Sequence, residues 1–450
     1  MKNTLPFELL KKYNQPGPRY TSYPTYPAWT GISHEQWFKH FANALNEDGS
    51  LSIYIHVPFC KTLCAFCGCT KMITKDYSKA DEYIDALHRE FKFYEAMIPF
   101  NTKIHEIHLG GGSPSWLKPA ELKKLLEPIL NSPKLIIDRE HVEQSIEMDP
   151  RTTTPEHCEH LQELGFNRVS LGIQDTNDIV LKSIRRDQPL SLVTDVVNNL
   201  QKNNIKLLNM DLIYGLPFQT VESIKQTIND ILNFRPTRIA LYSYAHVPSL
   251  KPAQKLLEKD GLPDAETKML IAETARQMLV EAGYHEIGMD HFALESDSLY
   301  QSFKKHELHR NFMGYTVQRS KVLLGLGPSS LSDSWTSFAQ NEKDYKKWHE
   351  LIMQNGHAII YGHQLSSKEL NRRKEILNLM CDFSSEIDLN NISNTQKLKL
   401  EKLKTDALIT QDDNHIAVTE NGKHFIRNIC MAIDDFLDEP QRNSVFSQTI

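Results

Sequence analysis

From residue 51 onward, short apolar runs rich in β-branched residues alternate with helical patterns, and this alternation restricts the fold more than any other feature of the chain. Strand signals fall at 52–58, 104–109, 143–148, 168–173, 207–213 and 238–244, with a seventh at 284–289. Helical patterns fall at 79–97, 119–131, 155–164, 176–203 (broken), 220–233 and 264–282. Buried strands separated by helices run parallel, because each parallel connection needs a crossover longer than a tight turn. Six such units predict an α/β fold, an open partial (β/α)6 barrel; the eight repeats of a closed barrel are not visible.

Chemistry in such a sheet gathers at the carboxyl ends of the strands. The second strand runs into Leu109-Gly-Gly-Gly-Ser-Pro114, whose missing Cβ atoms let a ligand lie against backbone amides. The third ends at Glu147-Met-Asp149-Pro150 and the fourth at Gln174-Asp175. The fifth carries Asp211 into Tyr214-Gly-Leu-Pro217, and the sixth ends at Tyr244-Ala-His246. Each alone could be a loop cap or a solvated carboxylate. Their succession at one end of the sheet points to a site.

Four of the seven cysteines stand in Cys60-Lys-Thr-Leu-Cys64-Ala-Phe-Cys67-Gly-Cys69, directly after the first strand. A structural zinc site usually joins two separated pairs, and no second pair exists, since Cys158, Cys381 and Cys430 are isolated and read as core residues. The C-x3-C-x2-C part suits three irons of a cubane iron–sulfur cluster, leaving the fourth free. Zinc stays open as the alternative. A disulfide framework does not suit a chain of 450 residues whose start shows no secretory signal.

No apolar run approaches the roughly 18–20 residues of a membrane span, so no membrane partner is expected. Free thiols then suggest a cytoplasmic location. A net charge of −6 argues against a nucleic-acid partner, which would want a basic face. Nothing demands an oligomer, and a monomer is expected.

Three regions are expected: 1–50, an arm and helix; 51–365, the barrel with its extension; and 366–450, a helical lid domain. The segment from Tyr13 to Pro27 is rich in proline and tyrosine and reads as an extended arm, because proline fixes φ and removes a donor. Arg19 within it could meet an anionic ligand. Residues 33–48 read as a helix capped by Ser33. The last region shows helical patterns at 367–383 and 394–407, a polar turn at Asp412-Asp-Asn and a helix from Asn421. That order resembles a winged helix, often a DNA reader, but acidic surroundings favour a lid over the barrel mouth.

The C-x3-C-x2-C loop resembles that of the radical S-adenosylmethionine (SAM) enzymes, in which SAM chelates the open iron of a [4Fe-4S] cluster and is split to a 5′-deoxyadenosyl radical. Further motifs narrow the likeness to the oxygen-independent coproporphyrinogen III oxidases. They are Pro16-Gly-Pro-Arg-Tyr-Thr-Ser-Tyr-Pro24, Tyr54-Ile-His-Val-Pro-Phe-Cys60, Gly110-Gly-Gly-Ser-Pro114, Ser145-Ile-Glu-Met-Asp-Pro150, Gly172-Ile-Gln-Asp175, Asp211-Leu-Ile-Tyr-Gly-Leu-Pro217, Tyr244-Ala-His246, Gly288-Met-Asp-His-Phe292, Leu308-His-Arg-Asn-Phe312 and Arg427-Asn-Ile-Cys430. They span nearly the whole chain.

The resemblance implies cluster ligands Cys60, Cys64 and Cys67, with Cys69 nearby and unbound, and two SAM molecules. Tyr54, Gly111, Glu147, Ala245 and Leu331 would contact the first; Phe66, Gly112, Ser113, Gln174, Arg186 and Asp211 the second. Ser113 stands where the family pattern has threonine, and Gly327-Pro-Ser-Ser-Leu-Ser332 around Leu331 departs from it. The implied reaction converts two propionates of coproporphyrinogen III to vinyl groups, giving protoporphyrinogen IX in haem biosynthesis. The sequence identifies neither the electron donor nor the acceptor. Four substrate carboxylates call for cations, and Arg19, His309 and Arg310 are the candidates. Two other readings are a haem-binding chaperone-like paralogue, which typically lacks the fourth cysteine and the arm motif, and a zinc-stabilised binding protein.

Overall fold

The computed structural model describes residues 7–317, 320–437 and 446–449. Six parallel strands form its centre: β1 Ser50–Val57, β2 Thr102–Gly111, β3 Glu143–Met148, β4 Arg168–Gln174, β5 Leu207–Tyr214 and β6 Arg238–Ser243, side by side in that order. Helices connect successive strands, among them Lys79–Glu95, Pro119–Leu130, Pro155–Glu163 and Val221–Phe234. The pattern at 176–203 is two helices, Asp178–Ser183 and Leu190–Lys202, separated by a loop that holds Arg186.

The sheet is larger than the sequence suggests. The seventh signal is a strand, β7 Tyr284–Gly288, hairpinned antiparallel to β8 His291–Leu294, which pairs antiparallel with β6. On the opposite edge β9 Leu323–Leu326 pairs parallel with β1, and β10 Leu331–Asp333, β11 Ser337–Asn341 and β12 Ile359–Gln364 continue it antiparallel. Among the described residues the path runs from β7 to β12 without closing.

Side chains alternate across this sheet. Leu51, Ile53, Ile55 and Val57 of β1, with Leu208, Met210 and Leu212 of β5, face the helices in the main apolar core. The in-register set Ser52, Tyr54, Glu106, His108, Glu143, Ser145, Glu147, Arg168, Ser170, Asn209 and Asp211 faces the other way. The inner face of the sheet is therefore polar, unusual for buried parallel strands, which commonly read as unbroken apolar runs.

The helix His34–Asp48 starts at Ser33, whose hydroxyl accepts from Gln36 N while Gln36 Oε1 accepts from Ser33 N, and it ends at Gly49 with φ +68°. From 14 to 25 the arm has no helix and bends over 21–24, with Tyr20 at φ +46°, while Tyr13 closes the helix Phe7–Tyr13 and Tyr26–Ala28 forms one 3-10 turn. Pro27 permits that turn because a proline early in a helix sacrifices no internal hydrogen bond. The arm is laced to the far end of the chain: Arg427 donates to the carbonyls of Gly17 and Pro18, Tyr20 donates to Asp434, and Asn428 donates to Tyr13 O.

The last region contains helices Ser367–Asp382, Asn394–Thr405 and Ile426–Ile433. Its antiparallel sheet is ordered Ser384–Glu386, His415–Val418, Ile409–Asp412, of which the first strand left no signal in the sequence. These elements share one apolar core with Tyr13, Tyr20 and Tyr23 of the arm and with Ile287, Leu308 and Tyr315. No described helix is long and apolar enough to cross a membrane.

Candidate active site at the carboxyl ends of the strands

The cysteine loop leaves β1 through Phe59–Cys60, which pairs parallel with Met72–Ile73, so the loop starts and ends at the same place. The glycine run at the end of β2 anchors that base. Gly112 N donates to Val57 O and Ser113 N to Phe59 O, at 2.7 and 2.8 Å. A Cβ on Gly112 would lie 2.7 Å from Phe59 O, and Gly111, at φ +109°, would drive one into the His56 ring. Glycine is needed here because two backbones touch.

All cysteines are free. Burial, then the neighbouring Cys67 and Cys64, push the Cys60 thiol up to about 12. Cys67 is brought down to about 5, chiefly by a hydrogen bond from Cys69, against burial and with help from Lys71. Cys64 faces two guanidinium groups: Arg151 Nη2 lies 3.2 Å and Arg186 Nη1 3.5 Å from its sulfur. Both arginines are also held by Asp149, whose carboxyl stays below its ordinary range despite burial because of Arg186 and Arg151. The loop thus holds four free thiols beside fixed positive charge, a donor set that fits a thiolate-ligated iron–sulfur cluster. Among the described residues no three His, Cys, Asp or Glu side chains converge as ligands of one metal ion.

Below the loop, Glu147 accepts from Gly111 N at 3.1 Å and lies 3.3 Å from His108 Nε2, whose Nδ1 is 2.6 Å from Ser145 Oγ. Burial raises the Glu147 carboxyl, but His108 and the Gly111 amide outweigh it and hold the group ionised. Its side chain is still 44% accessible, so it faces open space rather than packing. Tyr54 stacks on His108 with centroids 5.8 Å apart, and its hydroxyl is 3.0 Å from His56 Nδ1.

Asp211 accepts from Ser170 Oγ and Asn209 Nδ2 at 3.0 and 2.9 Å and has no cation bonded to it among the described residues. Burial and the charge of Glu147 push it up to about 6. Arg186 donates to Gly172 O and Gln188, which places its guanidinium at the end of β4. Gln174 lies beside it at φ +72°, its amide filling the space a Cβ on Gly172 would occupy. Gln254 ties Phe66 to Ala245 by donating to both carbonyls at 3.1 Å.

Ser113 Oγ lies 3.1 Å from Ser115 Oγ, which reaches Thr152 and receives the amide of Asp149. Leu331 turns its side chain into a separate apolar cluster. It packs beside Trp29, Phe338 and Leu365, and only its backbone approaches Gly325, the β9 partner of Tyr54. Asp175, by contrast, is locked between Gln219 and Thr227 and pins two loops together.

Of the cations proposed for the substrate, Arg19 is ion-paired with Asp290 and lies over the Tyr242 ring. His309 packs near Trp335, with centroids 6.4 Å apart. Arg310 is 3% exposed, lies over the Tyr315 ring, donates one N–H to Arg19 O, and leaves Nε and Nη1 buried with no hydrogen-bond partner among the described residues, as is His291 Nδ1. Sequence reasoning missed His108, Arg151, Tyr242 and Asp290. A signal for His108 and Tyr242 existed, since period-two alternation along β2 and β6 puts both on the polar face.

Residues 54–231 match the Radical SAM superfamily. The chain is 37% identical over 451 residues to the oxygen-independent coproporphyrinogen III oxidase of Escherichia coli, covering 98% of both chains. It is 35% identical to the enzyme of that name from Synechocystis, covering 98% of this chain and 97% of the other. The solved coproporphyrinogen III oxidase of Escherichia coli, described as a radical SAM enzyme, superimposes with a TM-score of 0.90 at 33% identity, over 97% of this chain and all of that one. With its motifs, sheet and cysteine loop all in agreement, the chain belongs to the oxygen-independent coproporphyrinogen III oxidases of the radical SAM superfamily.

Proposed function

We propose that this protein converts coproporphyrinogen III to protoporphyrinogen IX without oxygen, by oxidative decarboxylation of two propionate side chains to vinyl groups. Cys60, Cys64 and Cys67 would hold a [4Fe-4S] cluster. Tyr54, Gly111, Glu147, Ala245 and Leu331 would contact one SAM, and Phe66, Gly112, Ser113, Gln174, Arg186 and Asp211 a second. When bound, the cluster supplies the electron that cleaves SAM, and so the radical that an unactivated C–H bond requires.

The chain's own residues bind, orient and exclude. Glu147, kept ionised by His108 and Gly111 N, accepts hydrogen bonds from an ammonium group. Arg186, fixed by Gly172 O and Asp149, sets a positive charge at the end of β4 that would attract a carboxylate. The two unpartnered N–H groups of Arg310 make a place for a propionate, because a buried donor without an acceptor costs about 1–3 kcal/mol. The arm and the last region would close the mouth and keep water and oxygen from the radical.

The observation that carries this reading is the cysteine loop seated on the Gly111–Ser113 turn, with Glu147 facing open space beside it. Anaerobic incubation with reductant, SAM and coproporphyrinogen III should yield vinyl product and release methionine. Methionine release without any vinyl product would refute the substrate assignment, and neither product from an iron-replete sample would refute the mechanism.

A further inference from the structure

A second cavity, of about 590 Å³, lies at the carboxyl ends of β5 and β6, reached by Tyr214, Leu241 and Ser243, which alternate with the inner-facing Asp211 and Tyr242. Tyr214, Leu241 and Ser243 form its floor, the helix Ala265–Glu281 one wall, and the arm with residues 423–427 the other. That volume is within the roughly 300–1,000 Å³ of small-molecule sites.

Its charges do not balance. Six lysines and arginines line it against three carboxylates. Asp290 is taken by Arg19, and Glu273 and Glu286 by Arg276, while Lys423 pairs with Glu420. Of the remaining three, Lys11 is exposed, and Lys268 and Arg427 have carbonyl partners: Lys268 donates to Tyr244 O at 3.2 Å and lies over the Tyr214 ring, and Arg427 donates to Pro18, Gly17, Gln448 and Ser447. Among the described residues neither has a carboxylate in reach.

The site is also shaped. Gly215, at φ +87°, leaves room for the Lys268 stem, which a Cβ there would meet at 2.8 Å. Burial and Arg427 lower Lys268 to about 8, and burial and Arg19 lower Arg427 to about 10, outweighing the opposing charge of Asp290, which Arg19 already pairs.

We propose that this cavity binds an amphipathic carboxylate, with the anionic head on Lys268 and Arg427 and the apolar body against Leu10, Met269, Phe292 and Ile426. Two sources share that chemistry, a fatty acyl carboxylate and a propionate-bearing tetrapyrrole. The proposal does not depend on the reaction assigned to the inner face.

Calorimetric titration of the full-length holoprotein with dodecanoate and, separately, coproporphyrin III tests it. Saturable binding of at least one is expected, weakened about tenfold or more by Lys268→Met, retained by Lys268→Arg, and blocked by Ala272→Trp at unchanged melting temperature. Glu147→Gln should leave it intact. Dodecanoate alone binding assigns the acyl source, and coproporphyrin III alone the tetrapyrrole. Failure of both to bind overturns the proposal, as does wild-type binding by Lys268→Met, or loss of binding in Glu147→Gln, which would move the ligand to the inner face.

Discussion

The inner face of the sheet carries two sets of buried charges that solve the same problem differently. At the amino ends of the strands, Arg168 and Arg238 face Glu143 and Asp297, and each of these four has an opposite partner at 2.7–3.3 Å. Burial raises Glu143, but the two arginines hold it at about 2, and Asp297 is 0% exposed. Toward the carboxyl ends, Glu147 and Asp211 share only His108, and the Glu147 side chain looks into open space. A closed set of charges holds a structure together; an open set waits for a ligand that completes it.

Five substitutions can break or sharpen that contrast. The largest effect belongs to the loop above the open set: Cys64→Ala should lose both iron and methionine release, while Cys69→Ala keeps its iron. Iron analysis of the anaerobically prepared variants decides this. Arg168→Met comes next. It strands Glu143 and Asp297 with one cation between them, and urea unfolding should show a loss of about 3–5 kcal/mol. SAM affinity in the protein that stays folded should not change.

Glu147→Gln should do the reverse. It removes a charged acceptor worth about 1.5–3 kcal/mol, so SAM affinity should drop about 10- to 100-fold with the urea midpoint unmoved. If Glu147→Gln proved strongly destabilising instead, the two sets would not differ in kind.

Asp211 gives the smallest effect and a sign that depends on pH. Its carboxyl titrates near 6 in the folded protein against an ordinary 3.8. Between those values the folded state binds more protons than the unfolded one, so stability falls as pH rises through the window. Above about 6 the full penalty applies, up to about 2–3 kcal/mol. Asp211→Asn should therefore melt higher than wild type at pH 8 in the absence of SAM, with the difference vanishing by about pH 4. Equal melting temperatures at pH 8 would mean that Asp211 is already compensated.

Local rules made much of this legible. Ser33 and Gln36 announce a helix start because a hydroxyl acceptor three residues before an amide side chain satisfies free N–H groups at once. The six central strands were visible because β-branched apolar runs between helical patterns admit few alternatives. Where composition is mixed the signal failed. Ser384–Glu386 and Leu331–Asp333 are short and polar, and they are strands only because neighbours offer them hydrogen bonds.

By itself the sequence determined the parallel sheet, the place of the cysteine loop after the first strand, and the end of the sheet where Glu147 and Asp211 would lie. Spacing along the chain carries that information, since both helix and strand repeat over a few residues. Only the tertiary structure decided that Arg151 and Arg186 would aim at Cys64, that Asp290 would neutralise Arg19, and that Lys268 and Arg427 would line one cavity, each bonded to backbone carbonyls. Arg427 reaches Pro18 across 409 positions of sequence. Contacts of that kind depend on which surfaces the folded core brings together, and no local pattern encodes them.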